Sequence, residues 1–488
     1  MTVLSFIQTI ITGNYTQNCF FYWTMITYTH LVRHIVPGPQ SVTWFIPLLV
    51  LPIALLIPRT VLSRWQNIAM FMPIITLSII HAWMAMGTVD VITSNALLWS
   101  FFLLVVRDPW RDFRWVEVSS SKTVLTSEAT DVSSGEGRRD DKAEPVTDGT
   151  QPLLPGKPTK ADDVREVRYP ADLRQRLSWV GLLLISIRMF GWRIGYPSHD
   201  RRQPPLPDFR GPGHFLLVSV PASIIAYLTL DLTYAYISTD EYFTNTALSL
   251  SFPFQDDVPR TLLRTGILGA QLLSFMGMMF FFPASLAVLV NLTGALPDFW
   301  SPHTWPTYLG SPGAIVQLGV RGWWGRFWHQ TMRWTVSGPG IALSDAIGVR
   351  DRSVARFVLV NMVAFSLSGF IHMGLVPPEP QWATISGNAI RVCILGFFWS
   401  QAVGIMLEAM VAWLVVRLTG SRVWQAGGGW WLSAVAALGW VYLWFTLSST
   451  LLFEAGRHLG WWRVWPVPVS FWRGLRGEGW LTWSVFTG

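Results

Sequence analysis

Apolar residues in this chain gather into long runs nearly free of charge, separated by short polar turns and by one long polar insertion. Runs of about 20 apolar residues are long enough to cross the hydrocarbon core as helices. They fall at 44–57, 66–86, 91–106, 214–236, 267–292, 357–376, 392–416 and 430–453, which predicts about eight spans. A further apolar piece, 177–194, is interrupted by Arg188 and Arg193 and is too charged to count with them. Pro283 is a predicted kink in its span. Residues 1–40 carry His30, Arg33 and His34 among apolar neighbours and read as an interfacial or short re-entrant segment.

The pattern breaks at Arg107. From there to about Pro170 the chain is rich in Ser, Thr, Asp, Glu, Lys, Gly and Pro, a composition that cannot bury enough apolar surface to fold. Three parts follow: membrane spans over 1–106, a disordered cytosolic loop over 107–170, and a second membrane bundle over 171–488. The turns carrying Arg59 and Arg64, the long insertion, the loop up to Arg356, and the turn with Arg417 and Arg422 fall on one side if spans alternate. By the positive-inside rule that side is the cytosol. The arginine-bearing C-terminal tail breaks the alternation, so an uncounted re-entrant segment is expected. Asn14-Tyr15-Thr16 is an N-glycosylation triplet on the predicted lumenal side.

Composition sharpens the class. Apolar residues make up 51% of the chain and charged residues 13%, and the 29 tryptophans suit a protein with two membrane interfaces. The net charge of +7 does not imply nucleic acid as a partner, because Lys and Arg flank the apolar runs and form no basic face. Cys19 and Cys393 cannot build a disulfide framework. No Lys or Arg precedes the first apolar residues, so no cleavable signal is expected.

Chemistry concentrates in 321–334, Arg-Gly-Trp-Trp-Gly-Arg-Phe-Trp-His-Gln-Thr-Met-Arg-Trp, and in His372 downstream. Arg321, Arg326 and Arg333 offer donors suited to phosphate oxygens, and His329-Gln330 is not explained by a positive-inside, tryptophan-belted surface loop. Gly322 and Gly325 would permit a tight turn or close approach to a ligand. His372 lies in a run otherwise free of charge, where an ionisable group is by default a functional hypothesis. On a helix, Ser368 and Asn361 stand four and eleven residues before it, on the same face. The alternative is that His372 bonds a neighbouring backbone and locks packing. Asp256-Asp257, without a second acidic motif, reads as a solvated loop, and Glu408 is open between packing and chamber lining. No metal site is expected.

Gly325-Arg326-Phe327-Trp328-His329-Gln330, preceded by the Trp-Pro-Thr-Tyr-Leu-Gly-Ser-Pro run that begins at Trp305 and followed by Ser368-Gly369-Phe370-Ile371-His372, resembles the wax-synthase-like branch of the membrane-bound O-acyltransferases. Its fungal members include acetyltransferases of terpenoid and meroterpenoid pathways. Arg188-Met189-Phe190-Gly191-Trp192 is similar to that branch's Arg-Gly-x-Gly-Trp element, with Met189 in place of the first glycine. Arg326-Phe327-Trp328 stands where the family has Arg-Arg-Trp.

The resemblance implies an all-α polytopic bundle around a buried catalytic chamber, in a multi-pass protein of the endoplasmic reticulum. It also implies transfer of an acyl group from a CoA thioester to the hydroxyl of a hydrophobic alcohol drawn from membrane lipid. His372 would be the base. His329 would position the substrate or, with Gln330, orient the thioester and its oxyanion. Arg326 with Arg321 or Arg333 would hold CoA, and Trp328, Asn361 and Ser368 would line the site. Acetyl-CoA is the expected co-substrate, with no bound cofactor; a long-chain wax ester synthase is the alternative within the family. From another class, a proton-coupled transporter would use His372, Glu408 and Asp231 as a relay, although no internal repeat supports it.

Overall fold

The computed structural model describes residues 46–86, 91–118, 164–186, 189, 191–194, 211–246, 258–296, 302, 305, 308–328, 330–377, 379–419 and 430–482. Asn14, Arg188, Phe190, Asp256, Asp257 and His329 lie outside them.

The architecture is helical. In chain order the helices are α1 (Ile46–Leu56), α2 (Arg64–Met86), α3 (Val91–Ser100), which continues as a π turn (Phe101–Val106), and the short α4 (Pro109–Asp112). After them come α5 (Leu173–Ile185), α6 (Pro212–Ile237), the short α7 (Glu241–Thr244) and α8 (Val258–Leu292), then α9 (Gly313–Gly322), which continues as a second π turn (Trp323–Phe327). The last are α10 (Arg333–Ala346), α11 (Val354–Met373), α12 (Gly387–Thr419), α13 (Trp430–Leu459) and α14 (Phe471–Leu475).

Among the described residues five helices, α6, α8, α11, α12 and α13, are long and apolar enough to cross a membrane. This chain is a membrane protein. The expected eight spans are not matched: two of the apolar runs form elements too short to cross, and α2, with 23 residues, is not among the five. The helix α1 has 11 residues and rises about 16 Å, roughly half the hydrocarbon thickness, and the 91–106 run is likewise a shorter apolar helix.

These shorter elements build a core of their own, in which Leu55, Phe102, Leu103, Trp179, Leu183 and Trp192 are almost wholly buried. A small sheet closes it, in the order β2-β1-β3, made of β1 (Phe113–Val118), β2 (Val164–Val167) and β3 (Trp192–Ile194), all antiparallel. The two ends of the polar 107–170 segment are therefore strands, and residues 119–163 lie outside the described set. The 177–194 piece likewise divides into the end of α5 and strand β3. At its bend Met189 has φ +55°, at the position where the resembled motif carries glycine, and Gly191 has φ +75°. Met189 is fully buried, so its side chain fills the core that a glycine would leave open.

On this sheet Glu166 is flanked by Arg114, at 3.0 Å, and by Arg193. The hydrogen bond from Arg114 and the nearby Arg193 charge hold its carboxyl below the usual glutamate range. A depressed folded-state pKa stabilises above the unfolded value, and that contribution disappears as pH falls through the folded value. Thermal melts in detergent are therefore expected to separate wild type from Glu166→Gln at neutral pH and to converge below the ordinary carboxylate range.

The remaining helices form the main bundle. The helices α6 and α8 pack side by side, joined by a buried hydrogen bond from Ser285 to Ser219 (2.8 Å), the kind of small-residue contact that lets membrane helices approach closely. The helices α10, α11, α12 and α13 pack in sequence order, each against the next, and α9 leans on α12 and α13.

Candidate active site

Between 308 and 346 the chain folds back on itself twice. A sharp break falls inside α9 at Gly319 (φ +58°, ψ −134°), a backbone state that only glycine reaches without strain. Glu408 of α12 pins this break. Its carboxylate accepts from the backbone N–H of Val320 (2.7 Å) and Arg321 (3.1 Å), and from the indole N–H of Trp440 on α13 (2.7 Å). A Cβ on Gly319 would overlap this carboxylate. The question that the sequence left open over Glu408 is answered by these contacts: it fixes backbone and does not line the chamber.

Below the break, Gly322 lies so close to the Ala314 carbonyl that a Cβ would overlap it, and Gly310 donates its N–H to the Phe327 carbonyl (2.8 Å). Gly325, by contrast, has open space where a Cβ would stand. The π turn aims Trp324 inward. Its ring meets Phe365 edge-on with centroids 5.7 Å apart, and its N–H donates to Gln401 (3.2 Å), whose amide in turn donates to Ser448 (2.9 Å). Gln330 donates to the Trp328 carbonyl (2.6 Å) and accepts from Arg333 (3.3 Å). Met332 and Val336 then pack around Ile371 together with Leu367 and Leu375.

These contacts give the descent of the segment in steps along α11. The Arg321 guanidinium lies 5.4 Å from the Phe357 ring, Trp324 lies against Phe365, and Met332 packs against the cluster that holds Ile371. The described residues of 321–334 therefore run along α11 and share the cavity that His372 lines. Irregular backbone at that depth is tolerated because it is packed in protein and lines a cavity.

His372 sits in the last turn of α11. Its Nδ1 lies 2.7 Å from the Ser368 carbonyl oxygen. A carbonyl can only accept, so Nδ1 carries the proton and Nε2 keeps its lone pair. The ring packs on Phe398, centroids 4.5 Å apart. The Ser368 group that orients the histidine is its backbone carbonyl. Asn361 donates to the Phe357 carbonyl (2.7 Å).

One cavity of about 3370 Å³ is lined by His372, Ser368, Asn361, Gln330, Arg333, Trp328, Arg326 and Arg321. Glu408 and Asp231, also singled out from the sequence, are not among its lining residues. Arg352 and Arg356 line it too, and sequence reasoning passed over both as positive-inside charges. Arg356 is paired with Asp345 (2.6 Å) and Asp351 (3.3 Å), and Arg352 stands at φ +57°. Gln401 was also missed; its only signal was an amide inside an apolar run.

Along α11, Phe357 and His372 are about 22 Å apart at the helical rise. The chamber therefore has an arginine-bearing end beside Phe357, where Asp345 and Asp351 line it as well, and a histidine end whose reactive nitrogen is an acceptor. This is the layout of a membrane-embedded site that can take an anionic, elongated ligand at one end and remove a proton at the other.

The sequence comparisons agree with that class. Residues 305–379 match the model of the membrane bound O-acyl transferase family, and this segment holds the re-entrant loop and His372. Over those residues the chain is similar to that family. Acetyltransferase TRI7 of Fusarium sporotrichioides is 28% identical over 186 residues, covering 38% of this chain and 41% of its own length. Acetyltransferase eriL of Hericium erinaceus is 28% identical over 288 residues, 57% of this chain and 65% of that protein. Acetyltransferase nanB of Aspergillus nanangensis is 28% identical over 168 residues, 31% and 37% of the two chains. The matches thus span between about two fifths and two thirds of those relatives. No solved structure matches the chain.

Proposed function

We propose that this protein is an acyl-CoA-dependent O-acyltransferase that acetylates a hydroxyl of a hydrophobic terpenoid or meroterpenoid in the endoplasmic reticulum membrane. The observation that carries the reading is the convergence of the re-entrant arginine-rich loop and His372 on one cavity. Met332 and Ile371 share one hydrophobic cluster, which supports reading the two motifs as one site.

In this reading the arginines hold the CoA phosphates by charge-assisted hydrogen bonds while the acyl thioester extends toward His372. His372 Nε2 takes the proton of the alcohol as its oxygen bonds to the thioester carbonyl carbon. Gln330 donates to the carbonyl oxygen as it becomes an oxyanion, the role expected also of His329 from the sequence. When that intermediate collapses, the carbon–sulfur bond breaks and the thiolate leaves, recovering the proton from the imidazolium. The products are ester and free CoA, and Nε2 is again unprotonated. The apolar walls of the chamber suit an alcohol that already concentrates in the bilayer. The acetyl donor is favoured by the relatives, whose names are those of acetyltransferases.

The transporter reading is weaker. Glu408 is committed to two backbone N–H groups and an indole, and Asp231 to the Trp465 indole and the Trp472 backbone, so both relay members already serve as anchors.

The test supplies membranes containing the protein with radiolabelled acetyl-CoA or a long-chain acyl-CoA, each with a panel of terpenoid and fatty alcohols. Label is expected in the terpenoid acetate. Ester formed only from the long-chain donor and fatty alcohols would replace the acetyltransferase by a wax ester synthase, and no ester from any pair would refute acyl transfer.

A further inference from the structure

The chamber does not stop at His372. Past the end of α11 it continues between the connection to α12, with Pro377 and Trp382, and the segment that follows α13, of which residues 461–466 line it. This segment turns back at Gly460 (φ +70°), where a Cβ would collide with the Trp382 ring. It is then strapped to the bundle. The Tyr234 hydroxyl donates to the Trp462 carbonyl (2.8 Å), the Trp462 indole to Gln271 (3.0 Å), and the Tyr227 hydroxyl to the Val469 carbonyl (2.6 Å). At the centre of the strap is Asp231 of α6, only 2% exposed. One of its carboxylate oxygens accepts from the Trp465 indole and the other from the Trp472 backbone, both at 2.9 Å.

Resting on the transferase reading, we infer that the 461–466 wall, held by Asp231 acting through Trp465, is the acceptor side of the chamber and selects which alcohols reach His372. The nucleotide end lies at the other extreme, beside Phe357. A hydroxyl delivered to Nε2 must come with its carbon skeleton on the side that the thioester does not occupy. That side is walled by Trp461, Trp462 and Trp465, broad apolar surfaces with few rotamers, which suit a rigid polycyclic alcohol better than an ionic group. Arg463, the cation in this wall, stacks on Trp382 (4.1 Å). Asp231 is a positioning residue: it touches the wall and not the reacting atoms.

Two variants test this by steady-state kinetics on both substrates. Trp465→Phe keeps a ring against Tyr234, whose centroid lies 4.5 Å away, while removing the N–H donated to Asp231 along with the second ring of the indole. It is expected to raise the alcohol KM about three- to tenfold, the scale of one lost hydrogen bond, with the acetyl-CoA KM unchanged. Trp461→Ala enlarges the wall and is expected to shift preference toward bulkier alcohols. An unchanged alcohol KM and size ranking in both variants overturns the inference. So does a parallel rise in both KM values, which marks the strap as structural support alone. Absence of ester from wild type itself removes the transferase reading and this inference with it, and that result is distinct from the other two.

Discussion

Ester formation by His372→Ala is expected to fall about 10²- to 10⁴-fold in kcat, the usual contribution of a positioned general base. The acyl-CoA KM should change little, because Arg321 lies by Phe357 at the other end of α11, about 22 Å away along the helix. A mere packing histidine would give a different result: lost stability, and comparable effects on every kinetic constant. Orientation comes from the Ser368 carbonyl, which no side-chain change removes. Ser368→Ala should therefore keep the Nδ1–H tautomer and most of kcat. If Ser368→Ala matches His372→Ala in its loss, the hydrogen bond to the carbonyl is not what orients the base.

The second large effect is expected at Gly322. Its missing Cβ is what allows the two arms of the re-entrant segment to touch, since the neighbouring group is the Ala314 carbonyl, a backbone atom that cannot swing aside. Gly322→Ala should separate the arms and cost about 1–3 kcal/mol, the range for overpacking a close-packed site. Because Arg321 and the π turn adjoin Gly322, acyl-CoA binding should weaken along with the melting temperature. Gly325→Ala is the control. Nothing stands where its Cβ would go, so the fold should melt as wild type does. Equal melting and equal acyl-CoA KM in the two variants would show that the close approach at Gly322 does not hold the loop.

The two glycines also illustrate what a sequence can carry. Both read as places for a tight turn, and only contact with a segment eight residues earlier separates them. The long spans α6, α8, α11, α12 and α13 were legible because each contains an apolar run poor in charge whose length suffices to cross a bilayer. The sheet was not, because its strands are three to six residues long and come from separated parts of the chain. Strand β2 even closes a segment whose composition argues against folding. Helical spacing brought Asn361, Ser368 and His372 to one face from the sequence alone, and all three face the cavity. Glu408 and Asp231 illustrate the opposite case. As lone acids in apolar runs they resembled proton carriers, whereas their partners are N–H groups brought from elsewhere in the fold. The C-terminal tail broke the expected alternation of sides, and it folds back onto α6 through Asp231.

The chemistry proposed for the chamber is tested most directly in sealed proteoliposomes that contain the protein and a hydrophobic terpenoid alcohol, given acetyl-CoA labelled in the acetyl group. Label recovered as ester in the lipid phase, in step with release of free CoA, is the predicted result. Label accumulating inside the vesicles with no ester formed would contradict it and identify the chamber as a passage.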